Sequence, residues 1–319
     1  MANLYLNAQV YTGEPRWADC IAQCDEIINS GKFSLTPNYR DNFLTNGPEN
    51  SPEIIFTIPY DKLLASTNAI HMFSWHAALK DKFDLEATPW GCGSAMGVTQ
   101  FINTYDERDS RLADSWLMGP QMKSDGTPCI CTYDKAGEPL VYTKDIPSAN
   151  FTSESEGYRM NKYEVLPQGQ WTSDTDIPFY RYAEVLLMKA ECLLRTNQPG
   201  AGALVTQVRQ RAFKENPELA TVTDAQLAGN TCYEYGYVEN YKIVDKGDAS
   251  PVQYGRMYDE LGWEFAWEMH RRRDAIRFGI YTKKSWLSHK PEGDYRSVFP
   301  IPEKVLTSNP NLEQNPNYL

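Results

Sequence analysis

The chain has 319 residues, of which 41% are apolar and 23% are charged, a balance typical of folded rather than disordered proteins. Acidic residues outnumber lysine and arginine by 42 to 31, and the net charge of −11 disfavours binding to nucleic acids and to anionic membrane surfaces. No stretch is apolar for long enough to predict a transmembrane helix, whereas a neutral ligand is compatible with the charge.

Two helices and a strand are predicted at the beginning of the chain. Apolar residues recur at helical spacing over residues 4–11. A second helix over residues 17–28 carries one continuous apolar face, and Gly31 is placed to end it in the left-handed conformation. The run IIFTI at residues 54–58 is typical of a short strand. Residues 1–60 are therefore predicted to form a helical hairpin and a strand.

Residues 61–176 are predicted to form a long irregular region. They are rich in glycine, proline, serine, threonine and aromatic residues, and they show little sustained periodicity. Loop regions of this length are uncommon inside a compact domain, and those that occur usually carry function. Within the region, Asp109 and Arg111 are predicted to form a structural ion pair that fixes a loop. Residues 61–176 are therefore the predicted ligand-binding region.

Residues 177–319 are predicted to be helical again, apart from the C-terminal tail. Helical periodicity covers residues 181–196 and 203–213, and these two helices indicate packing similar to that of tetratricopeptide repeats. A single long helix is predicted over residues 252–279. Prolines within residues 298–318 forbid a continuous helix, so the tail is expected to lie extended over the body.

Residues of opposite charge are spaced to form pairs on the predicted long helix. Glu268 stands N-terminal to Arg271 and Arg272 in the favourable order, and Asp274 precedes Arg277 by one helical turn. Glu268, Arg271 and Asp274 are therefore predicted to be structural members of a buried lattice of arginines and carboxylates. An anion site at the three consecutive arginines is the functional alternative.

No metal or disulfide framework is indicated by the sequence. The seven cysteines are odd in number, and the spacing of Cys20 and Cys24 has no second pair of ligands to complete a zinc site. Buried or chemically idle thiols are expected instead. The sequence has no EF-hand spacing, so no cofactor is expected. The alternative is a calcium ion bound by Asp61 together with Asp245 or Asp248.

Five segments of the chain carry a family resemblance. In order they read LYLNAQVYTGEPRWADCIAQCDEIINSGKFSL, ENSPEIIFTIPYD, RYAEVLLMKAECL, ELGWEFAWEMHRRRDAIRFG and FPIPEKVLTSNPNLEQNPNY. Together they resemble the SusD/RagB family, nutrient-binding lipoproteins of the Bacteroidetes outer membrane, and they occur in the family order. The resemblance implies a mainly α, SusD-like fold with tetratricopeptide-like helical hairpins, long irregular loops and short β-hairpins.

The resemblance also implies a function and a location. SusD-like proteins bind oligosaccharides or other nutrients at the cell surface, for uptake through a partner transporter of the SusC-type, TonB-dependent class. Residues 1–319 are expected to form one SusD-like domain that corresponds to the C-terminal part of the family. Full-length members carry a signal peptide, a lipidated cysteine and further helical repeats before this part. We expect these segments, including the lipid anchor to the outer membrane, to be absent from this chain.

The resemblance directs attention to aromatic residues in the loops, because the family's sugar sites are shallow aromatic arcs. The candidates for ligand contact are Trp75, His76, Trp90 and Trp171. Gly91 and Gly93 are expected to allow close approach of a ligand beside Trp90. Stacking on a sugar requires an exposed and rigid indole, and the alternative for each candidate is a place in the core.

Two other classes of function remain open. A glycoside hydrolase could draw a pair of carboxylates from Asp174 and Asp176 or from Glu154 and Glu156. A helical-repeat scaffold could instead bind a peptide. The sequence contains no GxSxG, HExxH, GxGxxG or P-loop motif, so no enzymatic activity is predicted.

Overall fold

Helices hold 35% of the residues and strands 12%, which confirms the prediction of a mainly helical chain. The computed structural model describes residues 1–61, 63–90, 95–148 and 153–318. Within these ranges, no helix is both long and apolar enough to span a membrane. In chain order the α-helices are α1 (Ala2–Leu6), α2 (Ala8–Thr12), α3 (Trp17–Asn29), α4 (Gly47–Asn50), α5 (Ile70–Ser74), α6 (Thr99–Ile102), α7 (Ser110–Ser115), α8 (Tyr182–Arg195), α9 (Ala201–Arg209), α10 (Asp224–Leu227), α11 (Gly255–Glu264), α12 (Arg271–Arg277) and α13 (Glu303–Ser308).

The strands are short and form small separate sheets. They are β1 (Ile54–Ile58), β2 (Trp116–Leu117), β3 (Gly119–Pro120), β4 (Val141–Tyr142), β5 (Arg159–Met160), β6 (Ile177–Arg181), β7 (Gly236–Glu239), β8 (Lys242–Asp245) and β9 (Trp286–Leu287). The pairs β1–β6, β2–β5 and β3–β4 are antiparallel. Strand β7 pairs antiparallel with β8 and parallel with β9.

Helices α1, α3, α8 and α9 share one apolar core. Helix α8 is buried along nearly its whole length because it packs against both α3 and α9. Cys20 and Cys24 on α3 and Cys192 on α8 are fully buried in this core as free thiols. The burial of these three residues agrees with the expectation of buried or idle thiols, whereas Cys232 is exposed and lies with its Sγ 3.2 Å from the Asp259 carboxylate.

Strands β1 and β6 join two distant parts of the chain. Ile58 lies opposite Ile177, and Ile54 lies opposite Arg181. The β-branched side chains of β1 favour its extended conformation, and the strand predicted at residues 54–58 is confirmed. The chain between the two strands therefore leaves from and returns to the same small sheet, and its short elements surround a second apolar core.

The prediction of a single long helix over residues 252–279 is wrong. It is two helices, α11 and α12, separated by a turn at residues 265–270. Trp267 and Met269 in this turn have positive φ angles of 68° and 63°, which residues with side chains rarely adopt. Contacts from outside the helices must therefore hold the turn.

Lys162 supplies the contacts that hold the turn. Its Nζ donates hydrogen bonds to the carbonyl oxygens of Glu264 (3.2 Å) and Ala266 (2.7 Å), which lose their helical partners where α11 ends. The hydroxyl of Tyr39 also donates to the Glu264 carbonyl oxygen (2.7 Å), and Lys162 forms a buried ion pair with Glu268. Lys162 lies 102 residues from Glu264 in the chain, so helical periodicity cannot reveal the break.

A buried lattice of charges surrounds α11. The carboxylate of Glu264 pairs with Arg111 (3.1 Å), Arg181 (3.0 Å) and Arg211 (2.6 Å). Glu53 pairs with Arg181 (2.6 Å) and with Arg211. All five side chains are buried, so the lattice ties α11 to the β1–β6 sheet and to α7.

Most of the predicted structural charges have the expected role. Asp109 and Arg111 form a buried ion pair of 2.7 Å, as predicted. The Glu268 carboxylate lies 2.7 Å from Arg181. Asp274 pairs with Arg277 at 2.8 Å. The predicted lattice is therefore confirmed at these residues, although Glu268 finds its partners on other elements rather than on its own helix.

Arg271 does not join a carboxylate, contrary to the prediction. Its Nη1 donates to the carbonyl oxygen of Tyr258 (2.9 Å), and its guanidinium carbon lies 3.5 Å from the centroid of the Tyr258 ring. Among the described residues, no ion pair links Arg271 to an acidic side chain. The turn at residues 265–270 is the reason, because it interrupts the helical register that the predicted pairing requires.

Arginine charges keep the lattice carboxylates ionised. Burial by itself raises the pKa of Glu53, but the charges of Arg211 and Arg181 outweigh burial and bring the pKa below its ordinary value of 4.5. The same balance of burial against neighbouring cations lowers the pKa of Glu264 and of Glu268.

We expect the fold to lose stability as the solution is acidified below about pH 6.5. Burial lowers the pKa of His71, and it lowers the pKa of His76 to about 3, so below the ordinary value of 6.5 the unfolded chain binds more protons than the folded chain. Below about pH 4.5 the lattice glutamates add to the loss, because they are protonated first in the unfolded chain. Melting temperatures measured between about pH 8 and pH 3 test this, and a constant value would contradict it.

The C-terminal tail contains the short helix α13, so the expectation of an extended tail is wrong at these residues, although no continuous helix runs through residues 298–318, as predicted. Pro302 caps the N-terminus of α13, because a proline is tolerated where a helix begins. The tail is attached through Arg272, whose Nη2 donates to the carbonyl oxygen of Arg296 (3.0 Å) and whose guanidinium carbon lies 4.1 Å from the Phe299 ring centroid.

Candidate functional site

Three exposed aromatic side chains meet on the surface of the irregular region. Trp90 and Trp171 are 43% and 51% exposed, and their ring centroids lie 6.2 Å apart with an interplanar angle of 28°. Phe73 is also exposed and meets Trp90 edge-on, at a centroid distance of 4.6 Å. We call Phe73, Trp90 and Trp171 the aromatic platform. Its two indole rings are adjacent and each is about half exposed.

Backbone hydrogen bonds hold the segments of the platform together. The N–H groups of Glu86 and Ala87 both donate to the carbonyl oxygen of Gly169 (3.0 and 3.2 Å), which ties the chain before Trp90 to the chain before Trp171. A Cβ at Gly169 would lie 3.0 Å from the Leu166 carbonyl oxygen, so this close approach favours glycine. The platform therefore rests on paired backbone rather than on isolated loops.

Phe73 is held to the chain after Trp90 in a similar way. The N–H of Ala95 donates to the carbonyl oxygen of Phe73 (3.3 Å), and the hydroxyl of Ser74 donates to the carbonyl oxygen of Ala95 (2.8 Å). Gly91 and Gly93, expected to allow close approach beside Trp90, lie outside the described residues.

Polar side chains border the platform on the side of Trp171. The amide of Gln170 donates to the carboxylate of Glu86, and the amide of Gln168 donates to the carboxylate of Asp84 (3.1 Å). All four side chains are exposed, so their remaining donors and acceptors face solvent. Amide and carboxylate groups beside flat rings can hydrogen-bond the hydroxyls of a ligand whose apolar face lies on the indoles.

Trp75 is a core residue, so its prediction as a ligand contact is wrong. Its side chain is 1% exposed and stacks on Phe83 at a centroid distance of 4.0 Å. Its Nε1 donates to the carbonyl oxygen of Met160 (2.7 Å), which satisfies the buried indole. The irregular segments around Trp75 have no periodicity that could indicate its burial.

His76 is also buried, and its prediction as a ligand contact is wrong for the same reason. Its Nδ1 lies 3.2 Å from the Tyr142 hydroxyl, and burial lowers the pKa of His76 to about 3. His71, which precedes His76 in the chain, is also buried, with its Nε2 3.3 Å from the carbonyl oxygen of Gln170. His71 therefore contacts the chain next to Trp171, whereas His76 contacts Tyr142 in the second apolar core.

The structure thus brings together two of the four predicted ligand residues and adds others. Trp90 and Trp171 are adjacent, although no sequence pattern indicates that they meet. Sequence reasoning missed Phe73, Glu86 and Gln170. Glu86 and Gln170 are close in the chain to Trp90 and Trp171, and this closeness is a signal that could have pointed to them, whereas Phe73 is close in the chain only to Trp75.

The candidate calcium ligand Asp61 has a local structural role. Its Oδ1 accepts hydrogen bonds from the backbone N–H groups of Leu63 (2.8 Å) and Leu64 (2.9 Å). Across the described ranges, no group of three or more histidine, cysteine, aspartate or glutamate side chains is arranged to hold a metal ion.

Comparison with known proteins identifies the family. The chain matches the family model described as the SusD family over residues 29–318, and it belongs to that family. It is 25% identical to the starch-binding protein SusD of Bacteroides thetaiotaomicron, in a match that covers 99% of this chain and 59% of SusD.

Solved structures confirm the SusD-like fold. The chain is similar to B. fragilis NanU, with 21% identity and a TM-score of 0.64 over 100% of this chain and 62% of that one. It is also similar to surface glycan-binding protein A of B. thetaiotaomicron in complex with laminarihexaose, with 18% identity and a TM-score of 0.61 over 98% of this chain and 62% of that one. The chain therefore spans about three fifths of the length of these relatives.

Proposed function

We propose that this chain binds oligosaccharides on the aromatic platform and does not cleave them. The observation that carries the proposal is the pair of exposed, adjacent indoles of Trp90 and Trp171. The C–H faces of a sugar ring stack on such surfaces, and adjacent rings can contact neighbouring sugar units of one chain. The amide and carboxylate groups of Gln170 and Glu86 stand beside the indoles to bond hydroxyl groups.

Charge and family membership support a neutral glycan as the ligand. The net charge of −11 disfavours polyanionic glycans but does not affect uncharged ones. Two relatives are named for such ligands, one as a starch-binding protein and one as a glycan-binding protein in complex with laminarihexaose.

The carboxylates considered for a glycoside hydrolase have other partners. Glu154 is buried, and its Oε2 accepts a hydrogen bond from the N–H of Thr132 (2.7 Å). Asp176 accepts from the N–H of Tyr60 (2.8 Å) through Oδ1. These contacts fix loops, which favours binding over catalysis.

The cellular role follows from the family. We infer that the protein acts at the surface of the outer membrane and passes its ligand to a SusC-type, TonB-dependent transporter. A gene for such a transporter directly upstream, and co-purification of its product with this protein, would support this role. A neighbourhood without any transporter gene would contradict it.

Retention on immobilised glycans tests the binding proposal. We expect the chain to be retained on at least one neutral glycan of a panel, without release of new reducing ends. New reducing ends would instead support a glycoside hydrolase. Retention on a peptide library and on no glycan would support the peptide-binding scaffold.

A further inference from the structure

A second candidate ligand site lies away from the aromatic platform. A cavity of about 510 Å³ opens beside the turn at residues 265–270, and the platform residues do not line it. Its volume falls within the range of about 300–1,000 Å³ that small-molecule sites occupy. Its wall is mainly apolar and aromatic, with contributions from Phe101, Trp116, Tyr233, Tyr258, Trp267 and Trp286.

Arg271 places a cation in this largely apolar wall. Its Nη1 is engaged by the Tyr258 carbonyl oxygen, whereas its Nε and Nη2 have no hydrogen-bond partner among the described residues. Asp274 also lines the cavity, but its carboxylate pairs with Arg277 at 2.8 Å. The guanidinium group therefore keeps two N–H donors for a ligand.

Gly262 on α11 makes room for this guanidinium group. A Cβ at Gly262 would lie 2.7 Å from the Arg271 Nη1 and 2.9 Å from the Phe101 ring. A glycine inside a helix is destabilising relative to alanine, so its presence here is matched to the close approach of the arginine. Arg271 is thus seated between the rings of Tyr258 and Phe101, with its guanidinium carbon 3.5 and 5.3 Å from their centroids.

The ring of Trp267 adds to the aromatic wall of the same cavity. The indole Nε1 of Trp267 is buried and has no hydrogen-bond partner within the described part of the chain. Trp267 lines the cavity from the turn, where its φ of 68° directs the side chain out of helical register. The two remaining N–H donors of Arg271 complement a ligand that supplies acceptor oxygens.

We propose that this cavity binds a small molecule with a planar apolar body and a carboxylate. The carboxylate accepts two parallel hydrogen bonds from Nε and Nη2 of Arg271, an arrangement for which guanidinium geometry is suited. The planar body lies among the aromatic side chains of the wall. This site is independent of the glycan-binding proposal.

Binding of 2-naphthoate, with 2-naphthalenemethanol as its uncharged counterpart, tests the proposal by calorimetry on the full chain. We expect 2-naphthoate to bind more tightly than the alcohol. Arg271→Gln is expected to weaken the binding of 2-naphthoate on the order of tenfold, because a charge-assisted pair of hydrogen bonds is lost. The affinity for the alcohol is expected to stay nearly unchanged. Arg16→Gln, which removes the same charge at an exposed distant site, is the matched control.

A rim variant keeps the test decisive if Arg271→Gln fails to fold. Met269 lines the cavity and is 71% exposed, so the fold tolerates polar replacements there. Met269→Glu is expected to bind 2-naphthoate several-fold more weakly than Met269→Gln does. The two variants are expected to bind the alcohol with equal affinity. Equal affinities for the two probes, or a 2-naphthoate affinity unchanged in Arg271→Gln and in Met269→Glu, would overturn the proposal.

Discussion

Arg181→Ala is expected to destabilise the fold severely. Arg181 contacts the carboxylates of Glu53 (2.6 Å), Glu264 (3.0 Å) and Glu268 (2.7 Å), and all four side chains are buried. Removing one partner of a buried ion pair costs about 3–5 kcal/mol, because the remaining charge is left uncompensated. Since each kcal/mol shifts the melting temperature of a large domain by about 2–4 °C, the expected fall is on the order of 10 °C.

Thermal unfolding of Arg181→Ala beside Arg16→Ala measures this effect. Arg16 pairs with Asp19 on the surface at 2.6 Å, where solvent screens the interaction, so its replacement is expected to leave the melting temperature nearly unchanged. Equal shifts in the two variants would show that the buried lattice contributes no more than a surface pair.

Local patterns were sufficient to predict some of the regular elements. The apolar periodicity of residues 181–196 predicts α8, and the β-branched run at residues 54–58 predicts β1. Gly31 adopts the predicted left-handed conformation, with a φ of 62°. In each case the preference for helix, strand or turn is set by a few consecutive residues, and the tertiary structure is consistent with that preference.

Features that depend on distant partners could not be predicted in this way. Helical periodicity continues through residues 265–270, but the helix is interrupted there, because Lys162 and Tyr39 donate hydrogen bonds to the carbonyl oxygens at the end of α11. The burial of Trp75 and the exposure of Trp90 are likewise set by packing of irregular segments. The tryptophans of the irregular region are indistinguishable by local sequence, so the candidate site could be predicted only as a set of residues.

The double variant Trp90→Ala/Trp171→Ala is expected to lose nearly all affinity for the cognate glycan. Each indole contributes a stacking contact of about 1 kcal/mol or more, and 1.4 kcal/mol corresponds to tenfold in affinity. Each single variant is therefore expected to weaken binding by about tenfold, and the double variant by about a hundredfold. Affinity electrophoresis or calorimetry with the glycan that retains the wild-type chain measures these losses.

Stability and a matched aromatic replacement separate a binding defect from a folding defect. Trp90 and Trp171 are about half exposed, so their replacement leaves the two cores intact and the melting temperature nearly unchanged. Tyr11→Ala removes an exposed aromatic ring from α2, distant in sequence from the platform, and is expected to retain full affinity. A melting temperature lowered by several degrees in Trp90→Ala would show that this indole acts through the fold rather than through contact. An equal loss of binding in Tyr11→Ala would show that the loss is not specific to the platform, and either result would contradict the platform as the glycan site.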